Sequence, residues 1–369
     1  MGPLAGIRVI EMKGIGPGPY AGMLLADLGA EVIVVERSAE PTGVVPPSPL
    51  DIHSRGKKSV VFDLKTPGGL NNLLALVETA DVLFEGNRPG VAERLGFGPD
   101  VCLARNPRLV YGRMTGWGQT GPFAHCAGHD INFIALTGAL AAIGSPEKPA
   151  IPLNLIGDFG GGSLFLVTGI LAALLEARAS GNGQVVDAAI TDGTASLMSM
   201  FRTLDKIGMW TPQRASNLLD GAAPFYDVYE TADAKFIAIG SIEPQFYALL
   251  IEKAALDPAV FANRDDPSRW PDLKAKLADV FAGKTRDEWC AILEETDTCF
   301  APVLDYREAP HHRHNQARET YIKVGGVTQP APAPRFSRSD CGTPAAPPAI
   351  GADTEAILAE LRDRGAKDE

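Results

Sequence analysis

Two side chains that can exchange protons, His129 and Asp158, stand in similar sequence contexts. His129 lies between Gly128 and Asp130 and precedes an apolar run, and Asp158 precedes a run of glycines at residues 160–162. Each context is typical of a sharp turn that opens a long apolar helix, so we expect both side chains at helix N-termini. An imidazole and a carboxyl group presented by rigid elements can remove a proton from one face of a substrate carbon and return one on the other face.

The neighbouring residues favour a catalytic role for this pair over a structural one. Gly128 allows a ligand to approach the backbone beside His129, and the glycines at 160–162 leave room for a substrate beside Asp158. A helix N-terminus disfavours an imidazolium, so it favours the neutral imidazole, which is a usable base. The free N–H groups of the same turn can bind a developing oxyanion. The alternatives are a structural histidine and an aspartate that only caps a helix.

The elements that must position these residues alternate between strand and helix in the first half of the chain. Short apolar runs predict buried strands at residues 7–11, 32–35, 59–62, 82–84 and 109–111, and a helix is predicted at 20–28, ending before Gly29. Strands separated by helices indicate βαβ units and a parallel sheet. We therefore predict an α/β fold whose large domain, residues 1–187, is a doubly wound, Rossmann-like parallel sheet.

The second half of the chain predicts a smaller domain. Residues 188–224 are typical of a helical linker. Residues 225–324 predict a small α+β domain with a hairpin at 225–229 and 236–239, helices at 245–253 and 287–295, and a strand at 300–304. Residues 325–369 begin as a proline-rich extended segment, and we expect their last helix, at 353–364, to return to the large domain.

Composition limits the class of function and the compartment. The net charge of -11 disfavours a nucleic-acid surface, which needs a basic face. The uncharged stretch 159–175 is short and interrupted, so it predicts a buried core helix and no membrane partner. The 5 cysteines are scattered and no signal-peptide pattern is present, so we expect free thiols and a cytoplasmic location. Cys126 is near His129, but we interpret it as a small loop residue rather than as a nucleophile.

Two further motifs match ligand sites only in part. Gly14 and Gly16 follow a strand as in a dinucleotide-binding loop, but Pro17 and Pro19 delete N–H donors that a pyrophosphate would need. A tight turn with proline at the start of a helix is the better interpretation. The histidines at 311–314 lack the spacing of metal ligands and are typical of a solvated loop, so we expect no metal.

At several of these residues the chain resembles the class III (formyl-CoA transferase type) CoA-transferase superfamily, and within it the α-methylacyl-CoA racemases. The resemblance covers nearly the whole length, and the joint occurrence of its motifs is specific although each alone is weak. The motifs are GIGPGP (14–19), DLK (63–65), RPGVAERLG (88–96), MTGWGQTG (114–121), GHDIN (128–132), GDFGGG (157–162) and GQVVD (183–187).

The resemblance implies an isomerase of lipid and fatty-acid metabolism that epimerises 2-methyl branched acyl-CoA thioesters at C2. His129 and Asp158 then form the acid/base pair, Glu243 orients the histidine, and Asn154 is a partner of the aspartate. Such a pair shares one proton, which requires a raised Asp158 pKa in a desolvated pocket. No cofactor is implied, because CoA is part of the substrate. An interlocked homodimer is also implied, in which Glu243 acts within its own chain or across the dimer.

The resemblance further implies where the substrate binds. The residues that match CoA and thioester contacts are Arg37, Phe62, Asp63, Leu64, Lys65, Gly86, Asn87, Arg88, Arg94, Gly128, Asp130, Ile131, Asn132 and Phe133. Phe133 stands where a tyrosine also occurs, so no hydroxyl role is expected there. Three alternatives stay open: a CoA-transferase that uses Asp158 as nucleophile, an acyl-CoA-binding protein without turnover, and a dehydrogenase.

Overall fold

The computed structural model of the protein describes residues 1–37 and 50–368, which fall into two units. The first unit comprises Met1–Thr137, Pro152–Met198 and Ala317–Glu369, and the second comprises Gly138–Ile151 and Ser199–Gln316. The prediction places residues 138–151 in the large domain, whereas the structure groups them with the second unit. Arg214 of that unit holds them, because its guanidinium donates to the Ser145 carbonyl at 2.8 Å and to the Ala141 carbonyl at 3.0 Å.

The central sheet of the first unit has six parallel strands in the order β3-β2-β1-β4-β5-β6. These strands are β1 (Arg8–Met12), β2 (Glu31–Glu36), β3 (Lys58–Val61), β4 (Val82–Glu85), β5 (Val110–Thr115) and β6 (Val185–Ala189). The prediction of a parallel, doubly wound sheet is confirmed, and β1 to β5 overlap the five predicted strands. The sequence analysis missed β6, which spans the predicted domain boundary after residue 187.

Both faces of the sheet are covered, which explains why its strands read as continuous apolar runs. Successive residues of a strand point to opposite faces, so Val9 and Ile10 of β1 enter different cores. Val9 packs in a cluster with Leu25 and Ile170 of the helices on one face, and Ile10 packs in a cluster with Leu73 on the other. All five side chains are fully buried.

Fourteen α-helices accompany the strands in the part of the chain that the structure describes. They are α1 (Pro17–Asp27), α2 (Pro67–Val77), α3 (Val91–Arg94), α4 (Pro99–Arg105), α5 (Asp130–Ala135), α6 (Ala139–Ala142), α7 (Leu164–Ser180), α8 (Ile190–Leu197), α9 (Ser199–Lys206), α10 (Pro244–Lys253), α11 (Trp270–Phe281), α12 (Arg286–Leu293), α13 (Arg313–Ala317) and α14 (Thr354–Asp368). The predicted helix at 20–28 corresponds to α1, which begins earlier because Pro17 occupies its first turn. The chain leaves α1 at Gly29, with a φ of 96° that suits glycine.

The two helices expected to begin at His129 and Asp158 differ from the prediction. His129 is the N-cap of α5, but α5 has only 6 residues, and Gly138 turns the chain with a φ of 90° soon after it ends. Asp158 does not open a helix. It lies inside a π-helical segment, Leu155–Ser163, which runs directly into α7 and has Asn154 at its N-cap. Single π-helical turns within longer helices occur frequently at functional sites.

The apolar stretch around α7 is a core helix by its packing. Leu155–Ser180 is long and apolar enough to cross a membrane by length and composition, and 44% of its most apolar window is buried inside the protein. Leu166 and Ile170 are fully buried in the cluster that covers one face of the sheet. A core helix of a folded domain passes the same length and composition test, so this helix is weak evidence for a membrane span.

The C-terminal segment, Ala317–Glu369, belongs to the first unit. It includes a hairpin of β10 (Tyr321–Val324) and β11 (Val327–Pro330), whereas the sequence analysis assigned residues up to 324 to the small domain and interpreted the chain from 325 as extended. Buried Arg55 connects this hairpin to α1, because its guanidinium pairs with Asp27 and also donates to the Gln329 side chain at 2.9 Å. Helix α14 corresponds to the predicted last helix, and it buries Ile357 in the core of the first unit.

The second unit contains a three-stranded antiparallel sheet in the order β7-β8-β9, formed by β7 (Tyr226–Glu230), β8 (Phe236–Gly240) and β9 (Phe300–Val303). The predicted hairpin, the predicted strand at 300–304 and the helices α10 and α12 are therefore confirmed. Helix α11 was missed. Its Leu273, Leu277 and Phe281 are fully buried in the core of this unit.

Candidate active site

A cavity of about 590 Å³ opens in the first unit at the carboxyl ends of the parallel strands. Its walls come from the loops that follow β1, β2, β4 and β5, together with α5 and the π-helical segment. The strand order reverses between β1 and β4, and the loops after these strands lead the chain to opposite faces of the sheet. This switch point is the usual ligand site of doubly wound sheets.

The glycine- and proline-rich turn after β1 forms one wall of this cavity. Gly16 has a φ of 67° and is the N-cap of α1, so the predicted tight turn is confirmed. Two buried side chains hold the turn in place: the Ser163 hydroxyl donates to the Pro17 carbonyl at 2.7 Å, and Lys57 Nζ donates to the Pro19 carbonyl at 2.9 Å. A Cβ on Gly16 would lie 3.1 Å from Asp158 Oδ2, so the turn packs directly against that carboxyl group.

His129 presents its imidazole to the cavity from the N-terminus of α5. Its side chain is exposed, and its backbone N–H donates to Asn132 Oδ1 at 3.1 Å, which anchors the start of the helix. Within residues 1–37 and 50–368, the backbone N–H group of Asp130, which lines the cavity, has no hydrogen-bond acceptor. It is one of the unpaired donors that a helix N-terminus leaves, and it is available to a developing oxyanion.

Asp158 lines the same cavity and is half-buried. Burial raises the pKa of its carboxyl group, and the nearby charge of Asp130 raises it further, whereas a hydrogen bond from Asn154 and the charge of His129 oppose the shift. The expected partner contact is present, because Asn154 Nδ2 donates to Asp158 Oδ2 at 3.3 Å. The expected direction of the Asp158 pKa is confirmed, and a carboxyl group with a raised pKa can hold a proton closer to neutral pH.

The glycines after Asp158 have a different purpose from the predicted one. A Cβ on Gly161 would lie 2.3 Å from Thr194 Oγ1, and a Cβ on Gly162 would lie 3.1 Å from Ile190 Cγ1, both in α8. These two glycines are buried and allow α8 to pack closely against the π-helical segment. The prediction that they clear space for a substrate is wrong, because the space beside them is filled by the protein itself.

Gly128 lacks a side chain because an aromatic wall of the cavity occupies the space beside it. Phe133 lines the cavity, and its ring lies edge-on to Trp117 with 4.8 Å between the ring centroids. A Cβ on Gly128 would lie 2.6 Å from that ring, and a Cβ on Gly116 would lie 2.0 Å from it. The missing side chain at Gly128 therefore makes room for a protein ring, and the approach of a ligand to its backbone stays a prediction. The sequence analysis did not single out Trp117 as a wall residue.

The loop after β4 brings cationic and amide groups to the cavity. Asn87 and Arg88 line it, as does Arg37 from the end of β2, and Arg37 Nη2 donates to Asn87 Oδ1 at 3.3 Å. Glu85 fixes this loop, because its Oε2 accepts the Asn87 backbone N–H at 2.5 Å. Burial raises the pKa of Glu85 to about 7. The sequence analysis missed Glu85, although a lone acid closing an apolar strand is a signal that could have indicated it.

The structure brings most of the predicted contact residues together. Those that line the cavity are Arg37, Gly86, Asn87, Arg88, Gly128, His129, Asp130, Phe133 and Asp158. Phe62 and Leu64 line a smaller cavity that shares Arg37 and Asn87 with it. Phe62 is only 2% exposed, so its ring is part of the core.

The other predicted residues lie elsewhere in the described chain. Asp63, Lys65, Arg94, Ile131, Asn132 and Asn154 line neither cavity. Glu243 belongs to the second unit, where it is the exposed N-cap of α10, and its predicted contact with His129 stays a prediction.

The described residues contain no group of three or more His, Cys, Asp or Glu side chains that could hold a metal ion. In the predicted solvated loop at 311–314, His312 instead pairs with Glu294, with 2.9 Å between Nε2 and Oε1. Arg313 binds the second oxygen of the same carboxylate at 3.0 Å.

Comparison with known proteins gives one consistent family. The model of CoA-transferase family III matches residues 4–354. The chain is 46% identical over 364 residues to the alpha-methylacyl-CoA racemase of Mus musculus, covering 97% of this chain and 93% of that one, and 46% identical over 367 residues to the Homo sapiens protein with the same coverage. The crystal structure of a CaiB/BaiF family protein from Brucella suis matches at 26% identity with a TM-score of 0.81, covering 98% of this chain and 99% of that chain.

Proposed function

Because the chain belongs to CoA-transferase family III, and is similar to racemases along nearly its whole length, we propose that it is an isomerase that epimerises 2-methyl branched acyl-CoA thioesters at C2. The observation that carries the proposal is that His129 and Asp158, one base and one acid, line a single cavity. Neither residue needs a metal or a redox cofactor to move a proton, and CoA enters as part of the substrate.

The proposed reaction is a 1,1-proton transfer. One of the two residues takes the C2 proton, and the electron pair of the broken C–H bond moves to the thioester carbonyl oxygen to give an enolate. The partner residue then donates a proton to the opposite face of C2. The epimer that is bound decides which residue is the base, so the enzyme must hold His129 and Asp158 in complementary protonation states.

Two features of the site support this transfer. The raised pKa of Asp158 favours its protonated form, which must donate a proton in one direction of the reaction. The unpaired backbone N–H group of Asp130 can donate to the enolate oxygen, where the charge develops. Arg37 and Arg88, which also line the cavity, carry the positive charge that CoA phosphates require.

The closest alternative is a CoA-transferase, in which the Asp158 carboxylate attacks the thioester carbonyl, expels the CoA thiolate and forms an acyl anhydride. The name of the family keeps this alternative open. The position of His129 favours the isomerase, because anhydride formation needs no base there. A binding protein without turnover is the third possibility, and it needs neither proton carrier.

Incubation of one C2 epimer of a 2-methylacyl-CoA in deuterated water distinguishes these functions. An isomerase incorporates deuterium at C2 and produces both epimers with no second substrate. A transferase produces a new thioester only when a free carboxylic acid is added, and a binding protein gives neither product. Exchange that depends on a carboxylic acid, or no exchange with any branched acyl-CoA, would contradict the proposal.

Asp158→Asn tests the mechanism in the same assay. We expect the exchange rate to fall at least about 100-fold with binding of the acyl-CoA retained, because only the proton transfer is removed. Asp100→Asn is the matched control, since Asp100 is exposed in the first turn of α4 and does not line the cavity. Wild-type exchange by the Asp158 variant would refute the acid/base assignment.

We further propose a homodimer and a cytoplasmic location. Several large apolar side chains of the first unit are exposed in the single chain, and a second copy would remove them from water. They are Leu153, Leu155, Leu164, Leu175 and Leu197. The five free cysteines suit a reducing compartment. Analytical ultracentrifugation of the wild type and of Leu164→Glu tests the dimer, which the charged variant is expected to weaken.

A further inference from the structure

Asp130 connects the two segments that carry the proposed acid and base. It follows His129 at the start of α5, and its Oδ1 accepts the backbone N–H of Asp158 at 2.7 Å. The Gly157 backbone N–H faces the same carboxylate and lowers its pKa. Asp130 is only 8% exposed, and its Oδ2 has no partner among the residues that the structure describes. A buried carboxylate that accepts a backbone hydrogen bond from another segment is a specific structural connection.

Gly157 is shaped to receive this carboxylate. A Cβ on Gly157 would lie 2.2 Å from Asp130 Oδ1, closer than non-bonded atoms can approach, and 2.8 Å from Ile134 Cγ2. Any larger residue at 157 would therefore push α5 away from the π-helical segment. The fit of Gly157 to Asp130 is a second observation, independent of the hydrogen bonds, that these two segments are packed against each other in one arrangement.

We propose that Asp130 is a positioning residue for the proton transfer, because its carboxylate holds the backbone of Asp158 in a fixed place relative to the helix that begins at His129. This inference rests on the proposed function. Asp130 does not itself touch the reacting carbon, since its free Oδ2 is buried. Its backbone N–H and its side chain have separate roles: the N–H is available to the enolate oxygen, and the carboxylate fixes the distance between the two proton carriers.

Asp130 affects Asp158 through its charge, in addition to the hydrogen bond between the two residues. The pKa of Asp158 is raised mainly by burial, and the carboxylate of Asp130 raises it further, while Asn154 and His129 act in the opposite direction. Burial also raises the pKa of Asp130, and the backbone N–H groups of Asp158 and Gly157 oppose that shift. Removing the Asp130 charge alone should therefore lower the Asp158 pKa. The part of the pH profile that reflects ionisation of Asp158 should then move to lower pH.

Two substitutions separate the hydrogen bond from the charge. Asp130→Asn keeps an oxygen that can accept the Asp158 N–H and removes the charge. Asp130→Ala removes both. In the C2 exchange assay we expect Asp130→Ala to lower kcat by about 10- to 100-fold with KM within about threefold of the wild type, because misplacing a catalytic group by a fraction of an ångström affects the transition state most. Asp130→Asn should retain more of kcat and shift the pH profile to lower pH.

The controls distinguish failure of this inference from failure of the proposed function. If Asp158→Asn keeps wild-type exchange, the acid/base assignment fails. If Asp158→Asn loses exchange but Asp130→Ala keeps the wild-type kcat and Asp130→Asn keeps the wild-type pH profile, this inference alone is wrong. A variant that loses thermal stability with no change in the pH profile of its folded fraction would also overturn it. Gly157→Ala should lower kcat as Asp130→Ala does, and Asp100→Asn should change nothing.

Discussion

Replacing Glu85 with glutamine should flatten the dependence of stability on pH. Glu85 ends β4, is only 3% exposed, and accepts the Asn87 backbone N–H at 2.5 Å. Burial raises the pKa of its carboxyl group from 4.5 to about 7, although the hydrogen bond from Asn87 and the charge of Arg113 lower it. The charges that face Glu85 from the neighbouring elements are Arg113 of β5 and Glu93 of α3, and the neutral Tyr111 lies on the same face.

The sign and size of the effect follow from this pKa. The folded state holds the Glu85 proton more tightly than the unfolded state does, so the stability contributed by the neutral carboxyl group is complete below pH 4.5 and is lost as the pH rises through about 7. Each pKa unit corresponds to about 1.4 kcal/mol, so the loss at high pH is roughly 3 kcal/mol. Glutamine is neutral at every pH and keeps an oxygen that can accept the Asn87 N–H.

Urea unfolding of the wild type and Glu85→Gln across this pH range measures the effect. We expect the stability difference between the two proteins to change by roughly 2–3 kcal/mol between about pH 5 and pH 8.5, in favour of the variant at high pH. Glu78→Gln is the control, because Glu78 is an exposed carboxylate paired with Arg105 on the surface. Parallel stability curves for the wild type and Glu85→Gln would refute the reasoning that Glu85 is a buried acid with a raised pKa.

Two further predictions concern packing that positions the site. Asp27→Asn should lower the free energy of unfolding by about 3–5 kcal/mol, because it leaves buried Arg55 without its carboxylate at 2.6 Å, whereas Arg105→Gln on the surface should cost less than about 1 kcal/mol. Equal urea midpoints for these two variants would contradict this. Gly161→Ala should destabilise by about 1–3 kcal/mol, since the added Cβ would lie 2.3 Å from a threonine hydroxyl of α8. Gly68→Ala, where the Cβ meets nothing within 4 Å, is its thermal-unfolding control.

The fold was predictable wherever a local pattern carries the information. The apolar runs of β1 to β5 are buried on both faces, so they read as parallel strands without any knowledge of their neighbours. Pro17 and Gly29 mark the ends of α1 for reasons that depend only on backbone geometry. Element length was not predictable in the same way. Helix α5 ends at Ala135 although the apolar run after His129 continues, because the chain turns at Gly138.

The sequence by itself was sufficient to single out the two groups that the proposed chemistry needs. The identities of His129 and Asp158 and their motifs were sufficient to predict an acid/base pair, and the structure places both at one cavity. Only the tertiary structure decided what the surrounding residues do. Asp130 meets Gly157, and Gly161 meets α8, through contacts between segments that are distant in sequence. A linear sequence records residue types and local periodicity, whereas atomic distances between such segments, and the burial that shifts the pKa values of Asp158 and Glu85, exist only once the chain has folded.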